Sequence, residues 1–345
     1  MSFLFVSTRR VCSILGIFLL LLHTAEGQNN LVALDDYLQR NQKALGNKFA
    51  VLVYKDGKTV YQKIMGEFNA KTQTPIASSG NWLTAALIMT FVDQGKLSLD
   101  DPVGKYLPVF DKYMKSYVTI RHCLTQTTGI ENEGGKVGRL LTKKKFASLE
   151  EEVNAFAAKE ISTNPGEEFH YGNIGLNIAG RVLEVITKRS FDRIIQERLL
   201  RPLKMRATNF VNDEGGSISP STGARSSAND YINFLSMLLN KGMFEGKRIL
   251  SEESIAEMQK TQFTSLPVKY VPKVMEGYQY GLGEWIVETD GKKTVTSPSL
   301  SGTWAFIDQC RDYACIILLQ NPLKEDKKET YLQVKDIIDE QFPCK

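Results

Sequence analysis

The pattern of apolar and polar residues places strands at both ends of the chain and helices between them. Residues 49–54 form a short apolar run, Asp56-Gly57 is a hairpin turn signal, and residues 59–64 return as a second strand. Residues 82–94 have helical length and end at Gly95, with Leu83, Ala86, Leu87, Met89, Phe91 and Val92 covering most faces. A helix that is apolar on most sides belongs in a core. Residues 148–158, 174–187, 191–200 and 230–239 carry apolar positions at helical spacing. Strand-like runs resume at 281–288, 304–308 and 314–320, and residues 329–341 read as a last helix. The predicted class is α+β: one antiparallel sheet built from both termini and flanked by helices, with a helical lobe inserted at about residues 75–245. No repeat or Pro/Ser/Gly linker divides the chain, so residues 28–345 are expected to form one domain with two lobes.

The first residues read differently. Arg9 and Arg10 precede a short apolar run over residues 11–22, and Ala25-Glu26-Gly27 offers small residues for cleavage. This is the pattern of a signal peptide, residues 1–27, too short for a spanning helix. No later apolar stretch is long enough to span a bilayer, so an exported, extracellular product is expected. The 345-residue chain carries a formal net charge of +4. Loss of Arg9, Arg10 and Glu26 with the leader makes that +3. Nearly balanced charge without a long basic tract argues against a nucleic-acid partner. Lys143-Lys144-Lys145 reads as a solvated face, with an anionic or membrane partner as the lesser alternative.

Of the five cysteines, Cys12 leaves with the leader, and Cys123, Cys310, Cys315 and Cys344 remain. An even number in an exported chain favours disulfides. Cys310 and Cys315 flank a four-residue turn between strand-like runs, which suits a bridge across a hairpin. Cys123 with Cys344 follows by elimination, and buried free thiols are the alternative.

Candidate chemistry centres on Pro75-Ile76-Ala77-Ser78-Ser79-Gly80-Asn81-Trp82-Leu83. A serine at the N-terminus of a buried helix is well placed as a nucleophile, because the helix end favours developing negative charge. The plainer alternative is that Ser78 or Ser79 is a helix cap.

Residues 76–108 resemble the serine β-lactamase-related hydrolases and penicillin-binding proteins, a family of class C-like β-lactamases, D-Ala-D-Ala carboxypeptidases and esterases. The resemblance continues in order through Thr119-Ile120-Arg121-His122-Cys123-Leu124-Thr125-Gln126-Thr127-Thr128-Gly129, Phe169-His170-Tyr171-Gly172-Asn173, Arg201-Pro202-Leu203 and Tyr280-Gly281-Leu282-Gly283. It spans roughly residues 35 to 340 and implies a β-lactamase/transpeptidase-like fold. The family's Ser-x-x-Lys motif falls on Ser78 and Asn81, so the lysine that helps remove the serine proton is replaced by a side chain with no basic nitrogen. The family's Tyr-x-Asn motif is present as Tyr171-Gly172-Asn173, which implies an acid/base role for Tyr171 and a substrate-binding role for Asn173. Without neighbouring positive charge, Tyr171 is expected to stay near its reference pKa of about 10 and to be a poor base at neutral pH. The family's Lys/His-Thr/Ser-Gly strand motif falls on Ser297-Pro298-Ser299, with Leu300-Ser301-Gly302 as another register, and neither contains a cation. That absence argues against recognition of a carboxylate. Ser299 stands where the family usually has glycine.

Other routes to catalysis are poor. His122 lies in the Arg-His-x-Leu run, and His170 beside Tyr171 is a minor candidate base. No His-x-x-x-His or Cys-x-x-Cys spacing points to a metal, and no cofactor is implied. Trp82, Trp285 and Trp304 read as core residues, with an aromatic wall of the cleft as the alternative. Two functional readings follow. In the first, this is a secreted pseudoenzyme that uses the retained cleft for binding, or serves as a secreted matrix or interaction component with an extracellular partner. In the second, it is a serine hydrolase acting through Ser78 and Tyr171 on a small ester, amide or peptide. The sequence leaves the oligomeric state open.

Overall fold

The computed structural model describes residues 31–131, 146–212, 215–320 and 327–344. The expected leader and the Lys143-Lys144-Lys145 run lie outside the described residues. Helix α1 (Val32–Arg40) leads into strands β1 (Phe49–Lys55) and β2 (Lys58–Met65), then into the central helix α2 (Gly80–Asp93). The helical lobe contains the short strand β3 (Phe169–His170), α3 (Ile174–Thr187) and α4 (Ala228–Leu239). Strands return as β4 (Val268–Tyr270), β5 (Gln279–Tyr280), β6 (Trp285–Thr289), β7 (Lys292–Thr296), β8 (Thr303–Asp308) and β9 (Tyr313–Leu319), and α5 (Lys328–Gln341) follows.

Seven strands form one sheet in the order β5-β6-β7-β8-β9-β1-β2, every neighbouring pair antiparallel. The two ends of the chain meet where β1 pairs with β9, Phe49 opposite Leu319 and Val53 opposite Cys315. Side chains alternate between faces along each strand. Phe49, Val51 and Val53 join Cys315 and Ile317 on one face, packed with Leu34 and Leu38 of α1 and Val334 and Ile338 of α5. Ala50, Leu52, Ala314, Ile316 and Leu318 face the other core, which holds α2, α3 and α4. Burial on both faces explains why these strands read as unbroken apolar runs. Helix α2 is buried from Gly80 to Phe91, in keeping with its apolar circumference. No described helix is long and apolar enough to cross a membrane.

The structure corrects two expectations. The disulfide joins Cys310 to Cys344, with Cα atoms 4.9 Å apart, while Cys123 and Cys315 are buried thiols. Cys315 sits in mid-strand between Val53 and Phe306, its side chain turned into the face covered by α1 and α5. Cys310 lies instead in the turn between β8 and β9, where the chain leaving α5 meets it. The strand expected at 281–288 begins at Trp285. Residues 281–283 form a turn in which Gly281 N–H bonds Glu284 O at 2.9 Å and Gly283 adopts φ +79°.

Candidate active site

Two adjacent serines at the start of α2 have different environments. Ala77 takes φ +41°, a left-handed conformation that costs a non-glycine residue free energy and turns the chain sharply into the helix. Ser79 is buried, and its hydroxyl donates to the Ser297 carbonyl at 2.6 Å, tying the helix to the segment after β7. Tyr231 of α4 donates to the Ser79 carbonyl at 2.9 Å. Neither Ser78 nor Ser79 makes a side-chain cap of α2, so the capping alternative does not account for them. Ser78 is half-buried and lines a cavity. Gly80 lets the helix approach its neighbour, since a Cβ there would stand 2.8 Å from Ala224 Cβ.

One turn along α2, Asn81 projects to the same cavity. Its Nδ2 donates to Tyr171 Oη at 3.1 Å, while its Oδ1 is buried and meets no protein donor. Tyr171 is placed by its backbone. Its N–H bonds Tyr270 O at 3.0 Å, and the flanking His170 and Gly172 N–H groups bond the carbonyl and Oε1 of Gln126 at 3.0 and 3.3 Å. Gln126 itself adopts φ +61° and is buried, so one strained residue clamps both sides of the tyrosine. The ring packs against Phe169, Tyr280 and Trp285, the last at 5.0 Å between centroids. Burial raises the Tyr171 phenol above its ordinary value near 10, and hydrogen bonds involving Ser78, Asn81 and Trp285 only partly offset it. The side chain is therefore a neutral phenol at neutral pH.

The cavity has a volume of about 440 Å³, within the range of small-molecule sites. Ser78, Asn81, Tyr171, Asn173 and Ser299 all line it, and none of the described residues lining it is charged. The Ser299 hydroxyl lies 2.9 Å from that of Ser301. Ser297 is not among the lining residues; it is buried, with its carbonyl engaged by Ser79. His170 is also outside the lining, stacked edge-on against Tyr270, and burial lowers its pKa. His122 Nδ1 accepts from Thr119 N–H in a reciprocal helix cap. Of the tryptophans, Trp285 backs the site through Tyr171, whereas Trp82 packs on Phe234 and Trp304 on Tyr331 in the cores.

Two features of this region have no sequence motif of their own. One is the Gln126 clamp. The other is Glu284, which follows the glycine packed against the Asn81 carbonyl. Glu284 is wholly buried and neither carboxyl oxygen meets a protein donor. Burial raises its carboxyl well above the usual range, with only distant help to the charged form from Lys293. Burial thus favours its protonated form, beside the helix that carries Ser78.

With the geometry established, comparison with other proteins places the chain. A family model described as Beta-lactamase matches residues 38–337. Protein flp of Staphylococcus aureus is 28% identical over 172 residues, covering 47% of this chain and 34% of flp. The chain thus spans about a third of the length of that relative. A Bacteroides dorei structure described as β-lactamase-like superposes with a TM-score of 0.79 at 27% identity, covering 90% of this chain and 98% of the other. EstCE1, described as a hydrolase with promiscuous acyltransferase activity, shares the fold with a TM-score of 0.71 at 19% identity, covering 89% of this chain and 99% of its own. The family match runs through the sheet and the helical lobe alike, and this protein belongs to the serine β-lactamase-like family.

Proposed function

We propose that this is a secreted β-lactamase-like protein that keeps the family's cleft for binding and has lost most of its capacity for acyl transfer. The observation that carries the reading is the contact at residue 81, where an amide nitrogen donates 3.1 Å to Tyr171 Oη. An amide can hold a phenol but accepts no proton on its nitrogen and supplies no charge to stabilise a phenolate. Serine, lysine and tyrosine act as a unit in the family's mechanism, and removing one member of such a unit removes most of the rate. The leader-like residues 1–27 support export, and the Cys310–Cys344 disulfide suits an oxidising compartment.

A second reading, an active serine hydrolase, is favoured by the placement of Ser78 and Tyr171 in one cavity, where Ser78 acts to lower the pKa of the phenol against the effect of burial. In that mechanism Ser78 Oγ bonds to the substrate carbonyl carbon. Its proton passes to Tyr171 Oη as the tyrosine's own proton goes to the leaving atom. The Ser78 and Leu300 N–H groups bind the oxyanion, since Ser301 N–H is engaged by Ser299 Oγ at 3.2 Å. The deciding experiment is hydrolysis of a short-chain chromogenic ester by the mature protein, Ser78→Ala and Asn81→Lys. Impairment predicts no Ser78-dependent turnover in the natural sequence, with activity appearing in Asn81→Lys. Turnover abolished by Ser78→Ala would overturn impairment and establish the second reading.

A further inference from the structure

The cavity is divided by chemistry. Its floor is polar and neutral, made of Ser78, Asn81, Tyr171 and Asn173. One side of the cavity is apolar, made of buried Pro272 and Met275 and of Tyr270 and Leu300, which reach the surface, while exposed Thr222 adds a hydroxyl at the opening. Large apolar side chains in the open are few among the described residues; two of them, Tyr270 and Leu300, line this cavity, and a third, Val268, lies two residues before Tyr270 on β4. Val268 and Tyr270 are 56% and 38% exposed on β4, and Leu300 is 47% exposed on the loop between β7 and β8. Contiguous exposed apolar surface that continues into a concave site marks the place of an apolar ligand group. Charge is absent from the described lining, and the flanking Lys269 of β4 faces Glu168 at 3.9 Å. A carboxylate drawn onto this floor would lose its hydration without gaining a cation, whereas an amide or ester finds hydroxyl and amide partners.

Resting on the reading of this cavity as the ligand site, we propose that its ligand is an uncharged acyl amide or ester with an apolar arm. The carbonyl lies at Ser78 and the arm lies over Met275, Leu300 and Tyr270. Leu300 and Met275 are the specificity-determining residues. Leu300 is the outermost contact, so lengthening the arm gains area against it last.

The test uses binding, with the Ser78→Ala protein so that turnover plays no part. Trp285 fluorescence, next to Tyr171, reports titration with N-methylbutanamide, N-methylhexanamide and N-methyloctanamide, and with hexanoate and octanoate. Affinity is expected to rise about threefold to fourfold per methylene added to the amides, as burial of each methylene predicts. Octanoate is expected to bind at least tenfold more weakly than the amide of equal acyl length. Leu300→Asp is expected to flatten the dependence on length. Met114→Asp, at an apolar residue 82% exposed outside the cavity, is expected to leave it unchanged. A flat amide series, octanoate binding as tightly as the amide, or equal effects of the two aspartates would overturn the proposal. Catalytic impairment is judged separately by Ser78-dependent turnover, so either conclusion can fail while the other stands.

Discussion

Replacing Glu284 by glutamine removes a titration while keeping the shape of the side chain. Glu284 is fully buried and unpartnered, and its folded-state pKa lies well above the carboxyl value near 4.5. Between the unfolded and folded pKa values the native state holds a proton that the unfolded chain releases. Raising the pH through that window therefore favours unfolding. The stability contributed by the neutral acid is complete below the unfolded pKa and is lost as pH rises toward the folded one. The slope for one proton is about 1.4 kcal/mol per pH unit. Glutamine has no such slope. Urea unfolding of both proteins at pH 5, 6 and 7 should show the stability of Glu284→Gln relative to the natural sequence growing by about 1.4 kcal/mol with each unit. A fixed cost of burying the two amide protons would displace the comparison without altering its slope. Parallel stability curves for the two proteins would refute the argument, because they would mean that Glu284 is already ionised and compensated in the fold.

Four further outcomes follow from local geometry. Ser79→Ala removes the donor to the buried Ser297 carbonyl and should destabilise the protein by about 1–3 kcal/mol in chemical denaturation, while leaving Ser78 reactive toward any acylating probe it accepts. Gly80→Ala places a methyl 2.8 Å from Ala224 Cβ, and a loss of about 1–3 kcal/mol by the same measurement is expected from overpacking. Peptide mapping of the native protein should recover Cys310 linked to Cys344, with Cys123 and Cys315 alkylated only after denaturation. Cys344→Ser should lower stability by up to about 3.8 kcal/mol, the chain-entropy value for this 34-residue separation.

The centre of the sheet was legible in sequence because β1 and β9 are buried on both faces and so appear as runs that only a core strand sustains. Helix α2 was legible for the same reason. The polar strand β7, Lys-Lys-Thr-Val-Thr, was not read as a separate strand, because its start is exposed and only its pairing with β6 and β8 defines it. The cysteine pairing was read wrongly because spacing cannot tell which face of β9 receives Cys315. The same limit applies at the site. Motif spacing brought Ser78, Asn81, Tyr171 and Asn173 to one cavity and separated Ser297 from them only once side-chain direction was known. Gln126 and Glu284 carry no local signal, since their roles depend on contacts with segments distant in sequence.

Those distant contacts change what the asparagine at position 81 means. Had Glu284 been ionised, loss of a lysine nearby would have left a buried carboxylate without its cation, a costly imbalance that some other charge would have to relieve. A neutral acid there removes the imbalance. It also leaves no anion whose field would draw positive charge toward Tyr171. The described floor of the cleft is thus consistently uncharged: an amide at 81, a phenol at 171 and hydroxyls at 78 and 299. The Asn81 carbonyl packs on Gly283, the neighbour of Glu284, so Asn81→Lys is expected to be better tolerated in urea unfolding with Glu284 present, able to ionise as a counter-charge, than with glutamine in its place.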